Sequence, residues 1–174
     1  HDTHDWDAQE PLLLIDEKFH GVPRKLLVQG NRNGFFYVLD RTNGQFLLGE
    51  PFVPQTWAKG LDKNGRPVVL PGSDPTEEGT DVCPAIRGAT NWWASSYHPG
   101  TKLFYLMAHE SCMTYTKNNN AWKRGQNWLG GSFRLSARSS NQKFIRALDI
   151  QTGRMVWNYA QTGKAQTYSG VLST

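Results

Sequence analysis

The sequence predicts an all-β fold, because short runs of branched and aromatic residues are bounded by glycine-containing turns and helical periodicity is scarce. The candidate strands are 12–15, 25–28, 35–39, 103–108, 144–148 and 155–159. Turn pairs punctuate them at Asn33-Gly34, Asn43-Gly44, Asn64-Gly65 and Thr152-Gly153. Because Gly or Asn supplies the positive φ of a hairpin turn, we expect antiparallel strands joined in sequence order.

An internal repeat narrows the fold class further. Residues 36–45 read FYVLDRTNGQ, and residues 145–154 read IRALDIQTGR. Each copy consists of a strand, an Asp, a glycine turn and a second strand. The separation of the copies fits four-stranded propeller blades of about 40 residues with long insertions between them. We therefore expect part of a β-propeller, with about two blades in this chain plus long loops.

The propeller interpretation divides the chain into consecutive parts. We expect one blade at about 11–53 and a second at about 92–160, followed by the start of the next blade at 166–174. One insertion occupies about 54–91, and another, 111–141, lies inside the second blade. Both are rich in Gly, Asn, Ser, Thr and Pro. Insertions of this kind either build a functional face or are plain surface loops.

The two ends of the sequence indicate that the domain is larger than the chain. The 174 residues begin at His1 without an initiator Met, and they stop where an apolar run has just begun. A partial propeller also leaves apolar blade faces in water. We therefore expect residues 1–174 to be a fragment of a single propeller domain, or to need partner segments.

Composition and missing motifs exclude several function classes. The net charge is only +4 and the basic residues are scattered, so we expect no nucleic-acid partner. The apolar runs are too short to cross a bilayer. The sequence contains neither a GxSxG nor a GxxxxGK[ST] motif, so hydrolase and nucleoside-triphosphatase chemistry are not indicated.

The two cysteines, Cys83 and Cys112, lack the spacing of a zinc site. In a reducing compartment they would be buried thiols, whereas in an oxidising one they could form a disulfide. The spacing alone leaves both readings open.

The opening segment concentrates the candidate ligands and acid/base groups. It reads HDTHDWD, and in an extended chain Asp5 and Asp7 share a face. Their carboxylates could hold a hard cation, because a metal ion neutralises their mutual repulsion. The alternative is a solvated acidic turn.

Two further segments could bind a ligand. Arg32 lies between glycines in GNRNG, where a fixed guanidinium could bind a carboxylate or a quinone oxygen. Asn91 and Trp92 follow a Gly-Ala-Thr turn and could form a polar pocket with an aromatic wall. An ordinary turn arginine and core tryptophans are the alternatives.

Taken together, these motifs resemble the pyrroloquinoline quinone (PQQ) dependent alcohol dehydrogenases of the methanol and ethanol dehydrogenase type, which are eight-bladed β-propellers. The resemblance covers most of the chain. Its segments are the HDxxDWD opening, NRNGFFYVLDRTNG at 31–44, WAKG at 57–60, DVCP at 81–84, GATNW at 88–92, and ALDIQTGRMVW at 147–157, which is similar to the family's tryptophan-docking repeat.

The resemblance implies a role for each matching residue. Asp5 corresponds to the aspartate that accepts the alcohol proton and also contacts the metal. Arg32 corresponds to the arginine that binds the quinone oxygens, and Asn91 and Trp92 to the cofactor-binding segment. Asp7 corresponds to an extra carboxylate of the lanthanide-using members, so the implied metal is calcium or a lanthanide ion.

The resemblance further implies a Cys83–Cys112 disulfide and a periplasmic location. The expected reaction is the PQQ-dependent oxidation of an alcohol to an aldehyde, with cytochrome c or a similar electron acceptor. A homodimer is left open. The alternatives are a PQQ-dependent sugar or polyol dehydrogenase and a non-catalytic propeller scaffold of the periplasm or outer membrane.

The sequence also departs from the family pattern. The family's metal-binding glutamate and asparagine, its adjacent-cysteine disulfide and the residues that sandwich PQQ have no counterpart here, so we expect this fragment alone to be inactive. His4 stands where many methanol dehydrogenases carry Trp.

Overall fold

A computed structural model describes residues 2–163 and 168–174. These residues form thirteen strands and no helix, which confirms the all-β prediction. Accordingly, within the described ranges there is no helix long and apolar enough to cross a membrane.

Two antiparallel four-stranded sheets dominate the fold. The first sheet has the order β1-β2-β3-β4, with strands at Leu13–Phe19, Val22–Gly30, Phe35–Asp40 and Gln45–Pro51. The second sheet has the order β13-β12-β9-β8, with β8 at Ser96–His98, β9 at Leu103–Glu110, β12 at Gln142–Asp149 and β13 at Met155–Ala160. They lie inside the ranges expected for two blades.

The internal repeat forms the same local structure in both sheets. Asp40 and Asp149 each accept a backbone hydrogen bond from the residue two positions later, at 2.9 and 2.7 Å. Gly44 and Gly153 then close the turns with positive φ values of 76° and 69°. The pairing of each hairpin also shifts register at equivalent positions, after Val38 and after Ala147.

The two insertions contain strands and combine into a sheet of their own. Strands β5 (Ala58–Leu61) and β6 (Pro67–Val69) form a hairpin within the first insertion. Strand β7 (Thr80–Val82) pairs instead with β10 (Met113–Lys117), which pairs in turn with β11 (Gly131–Leu135). The Cys83–Cys112 disulfide lies beside the β7–β10 pair and joins the two insertions covalently. The disulfide implied by the family resemblance is therefore present.

Apolar side chains from both large sheets form one core. Phe36 of β3 and Phe104 of β9 meet at a ring-centroid distance of 5.1 Å, and both are fully buried. Gly30 lets Leu106 of β9 pack closely on β2, because an added Cβ would lie 2.6 Å from the Leu106 side chain. A second buried cluster lies under the insertions and contains Trp6, Phe35, Trp57, Ala58, Val82 and Tyr115.

The expected blade start at 166–174 is not seen as a strand. Residues 166 and 167 lie outside the described residues, and residues 168–174 contain no strand. The Val171 N–H donates to the Ala94 carbonyl oxygen at 2.8 Å. This is a contact between loops and not part of a β-sheet.

Candidate active site

The segment that carries Asp5 is anchored by its neighbours on both sides. His4 and Trp6 are buried, whereas Asp5 and Asp7 are exposed. His4 Nε2 lies 2.9 Å from the Ser73 carbonyl oxygen, and the Trp6 indole N–H donates to the Ala85 carbonyl oxygen at 3.0 Å. The rings of His4 and Trp6 stack at 4.5 Å. This alternation directs the Asp5 side chain outward from a fixed backbone.

A tight turn at Asp2 encloses Asp5. The Asp2 carboxylate accepts hydrogen bonds from the backbone N–H groups of His4, at 2.8 Å, and of Trp6. Asp5 itself has a φ of 63°, in the left-handed region that non-glycine residues seldom occupy.

Asp5 and Asp7 are both exposed, but the positive φ of Asp5 departs from the extended backbone on which their shared face was predicted, so the shared face stays a prediction. Within the described residues, no group of three or more His, Cys, Asp or Glu side chains could hold a metal ion. By themselves, these two carboxylates could provide only part of the coordination shell of a hard cation.

Arg32 is buried next to a carboxylate that the sequence analysis did not single out. The backbone N–H of Arg32 donates to Glu10 Oε1 at 2.8 Å. The guanidinium donates through Nη2 to the Ile86 carbonyl oxygen, and its buried Nε has no hydrogen-bond partner within residues 2–163 and 168–174. Burial raises the pKa of Glu10 to about 7, although the nearby Arg32 charge and backbone hydrogen bonds act in the opposite direction.

A glycine turn packs closely on the Arg32 side chain. Gly88 has a φ of 82°, and an added Cβ would lie 2.6 Å from the Arg32 Cβ. The Ala89 N–H donates to the Arg32 carbonyl oxygen at 2.8 Å. The GATNW segment therefore packs against Arg32 through Gly88 and Ala89. A larger residue at position 88 would displace the guanidinium.

Asn91 and Trp92 occupy different surroundings. Asn91 donates through Nδ2 to the Arg87 carbonyl oxygen at 2.7 Å, and its Oδ1 accepts from Gln9 Nε2 at 3.5 Å. Asn91 is therefore linked to the chain just before Glu10. Trp92 is exposed and stacks on Tyr168 at 6.5 Å. Within the described ranges, the contacts of Trp92 do not join it to Asp5 or Arg32.

A cavity of about 620 Å³ opens beside Asp5. Its wall combines the opening segment with the insertion sheet, and it includes Ile86, Tyr115, Trp128 and Phe133. Tyr115 is 5% exposed, and its hydroxyl is buried. Burial, and then the Asp2 charge, raises the pKa of this phenol.

Sequence reasoning missed Glu10, Asp2 and Tyr115 as parts of the site. Glu10 lies in an otherwise polar stretch, and only its contact with the distant Arg32 backbone shows that it is buried. Tyr115 lies in an insertion whose pairing could not be read from its own sequence. For Asp2 a signal was present, since an Asp before a short polar stretch commonly forms hydrogen bonds with backbone groups two residues on.

Comparisons with known proteins assign this chain to a family. No protein-family model matches the chain. The quinoprotein alcohol dehydrogenase PedH of Pseudomonas putida is 39% identical over 185 residues, covering all of this chain and 30% of PedH. The lanthanide-dependent methanol dehydrogenase of Methylorubrum extorquens is 32% identical over 190 residues, covering all of this chain and 31% of that protein.

The solved structures agree with the sequence comparisons. The crystal structure of the quinohemoprotein alcohol dehydrogenase from Comamonas testosteroni superposes with a TM-score of 0.79 at 31% identity, over 90% of this chain and 25% of that one. The fold is thus part of a quinoprotein dehydrogenase propeller. The chain belongs to the quinoprotein alcohol dehydrogenase family, and it spans about 30% of the length of the curated relatives named above.

Proposed function

We propose that the full-length protein containing this chain oxidises an alcohol to an aldehyde, with PQQ as the two-electron acceptor. The observation that carries the proposal is the buried Arg32 guanidinium, whose Nε has no partner among the described residues. Its Nη2 donates to the carbonyl oxygen of Ile86, and Ile86 lines the same cavity as the outward-facing Asp5. A buried donor without an acceptor is costly, and a ligand rich in acceptor oxygens would remove that cost. PQQ is such a ligand, so the residues present fit it.

Asp5 is the general base of the proposed reaction. Oxidation removes a proton from the alcohol oxygen and a hydride from the carbinol carbon, and Asp5 receives the proton. PQQ, when bound, supplies the carbonyl carbon that accepts the hydride. Arg32 would hold the quinone oxygens of bound PQQ, and its positive charge would stabilise negative charge on them. Asn91 and Trp92 complete this chain's share of the cofactor site in the proposal.

Asp5 and Asp7 are the proposed metal ligands from this chain. Asp5 and Asp7 offer two exposed carboxylates to a hard cation, and a calcium or lanthanide ion held there would act as a Lewis acid in this chemistry. We propose a lanthanide in preference to calcium. The additional carboxylate at position 7 and the similarity to a lanthanide-dependent methanol dehydrogenase support that choice.

The cavity wall offers both apolar and polar contacts to an alcohol. Ile86, Trp128 and Phe133 line the cavity that also contains Asp5, together with Asp74, Thr116, Lys117 and Ser132. The apolar side chains favour an alcohol with an apolar chain as the substrate. A scaffold role is less well supported, because a scaffold has no use for a buried guanidinium whose Nε has no partner among the described residues.

The location and redox partner follow from the same proposal. The Cys83–Cys112 disulfide suits an oxidising compartment, and we propose the periplasm. Each turnover delivers two electrons to the cofactor, so an electron acceptor such as cytochrome c must remove them.

Dye-linked alcohol oxidation by the full-length protein tests the proposal. The wild-type protein is reconstituted with PQQ and either calcium or lanthanum, next to the Asp5→Ala variant. Asp16→Ala is the matched control, because Asp16 is an exposed aspartate that pairs with Arg41 on the first sheet. We expect activity that requires PQQ, persists in Asp16→Ala and is lost in folded Asp5→Ala. Retained turnover in Asp5→Ala would contradict the role of Asp5.

A further inference from the structure

Two turns in this chain share one hydrogen-bonding pattern. Asp2 accepts from the backbone N–H groups two and four residues later, on His4 and Trp6. Asp62 does the same, accepting from Asn64 at 2.8 Å and Arg66 at 2.9 Å. Each carboxylate thereby closes a short loop of backbone around the residue three positions after it.

In both turns, the residue three positions after the first aspartate has a left-handed backbone. In the Asp62 turn this residue is Gly65, with a φ of 79°. In the Asp2 turn it is Asp5, with a φ of 63°. Glycine adopts such a φ without steric cost, whereas a residue with a Cβ does so only when its surroundings enforce it. The chain therefore holds a carboxylate at a backbone position that favours glycine.

Contacts outside the turn fix the residues on either side of Asp5. The buried rings of His4 and Trp6 are tied to the carbonyl oxygens of Ser73 and Ala85. Thr3 donates through its hydroxyl to Asp74 Oδ1 at 2.9 Å. The flanking residues are thus anchored by side chains, and of the residues that the structure describes, Asp2 is the one that bonds the backbone N–H groups on both sides of Asp5.

We infer that Asp2 is a positioning residue for Asp5. Its carboxylate holds the left-handed backbone that directs the Asp5 carboxylate into the cavity. This inference rests on the proposed role of Asp5 as the base, and it assigns to Asp2 no contact with substrate or cofactor. Loss of the Asp2 carboxylate lets Asp5 relax toward the common extended or helical backbone regions, and the proton acceptor moves away from the alcohol.

The test uses Asp2→Ala and Asp2→Asn in the full-length protein, with Asp62→Ala as the matched control. All variants are loaded with PQQ and a saturating metal ion, and the loaded fraction is counted by titration with PQQ before kinetics. We expect kcat per loaded site to fall about tenfold or more in Asp2→Ala. The alcohol KM and the affinity for PQQ should stay within about twofold of wild type. Asp2→Asn keeps one acceptor oxygen and should recover part of the loss.

A deuterated alcohol separates positioning from simple loss of structure. If Asp5 is displaced, the chemical step slows, so the primary isotope effect on kcat stays at or above its wild-type value. If Asp2→Ala loses activity only because part of the protein is inactive, the loaded fraction falls and kcat per loaded site stays at the wild-type value. That result would overturn the inference. An equal kcat loss in Asp62→Ala would also overturn it. Wild-type protein that neither binds PQQ nor oxidises an alcohol would instead refute the proposed function, and with it the role of Asp2.

Discussion

Glu10 Oε1 accepts a hydrogen bond from the Arg32 backbone N–H at 2.8 Å, while its second carboxylate oxygen, Oε2, is buried with no partner in the part of the chain that the structure describes. The carboxyl group therefore orders the loop that carries the buried guanidinium without being fully paired itself. Burial raises the pKa of Glu10 from 4.5 to about 7, despite the nearby Arg32 charge. Ionisation of Glu10 therefore destabilises the folded state relative to the unfolded chain.

The first prediction concerns the pH dependence of stability at Glu10. Because the folded-state pKa exceeds the unfolded one, the protonated carboxyl favours folding below about pH 4.5, and this contribution is lost as the pH rises through about 7. We expect Glu10→Gln to raise the free energy of unfolding at pH 8 by about 3 kcal/mol, with little change at pH 4. Unfolding of the full-length protein across this pH range measures the difference.

Glu78→Gln provides the control for this experiment. It makes the same chemical change at an exposed carboxyl, and its stability should follow wild type at every pH. Parallel pH profiles for Glu10→Gln and wild type would show that Glu10 ionises as it does in the unfolded chain.

The second prediction concerns the choice of metal ion at Asp7. A trivalent lanthanide gains more from an additional carboxylate than calcium does, because its charge is higher. We expect Asp7→Ala to reduce lanthanum-dependent turnover at least tenfold more than calcium-dependent turnover. Full titrations of each ion against the dye-linked activity measure both effects. An equal loss with the two ions would reject the lanthanide preference.

The third prediction concerns the disulfide between the two insertions. Cys83 and Cys112 are 29 positions apart, and a cross-link of that span stabilises a protein by about 3–4 kcal/mol in the chain-entropy model. We expect the double variant Cys83→Ser, Cys112→Ser to unfold at a lower denaturant concentration by a corresponding amount. Oxidised wild type and wild type treated with a reducing agent should differ in the same direction. Identical midpoints in all three samples would contradict the prediction.

The two blades were predictable because their signals are local. Glycine turns with positive φ join β2 to β3, β3 to β4, β5 to β6 and β12 to β13, at the four turn pairs seen in the sequence. Strand ends were less clear. β1 continues through Asp16, Glu17 and Lys18 to Phe19, because an edge strand can expose polar side chains along its length.

The insertion sheet could not be predicted from local patterns. β7 has only three residues, and its partner β10 lies in a separate insertion, so neither segment carries a strand signal strong enough to stand alone. The same limit applied to the site. The exposure of Asp5 and Asp7 follows from their charge, whereas the contact of Glu10 with Arg32 depends on how distant segments fold together.

The pairing of β7 with β10 has a consequence for loop engineering. A graft that replaces only residues 111–141 with the corresponding loop of a relative would remove the β10 partner of β7 and one sulfur of the Cys83–Cys112 bond. A graft of residues 54–91 alone would remove β7, the partner of β10, and the other sulfur of the disulfide. The two loops therefore form one transplantable module, and substrate-range chimeras within this family should exchange both segments together.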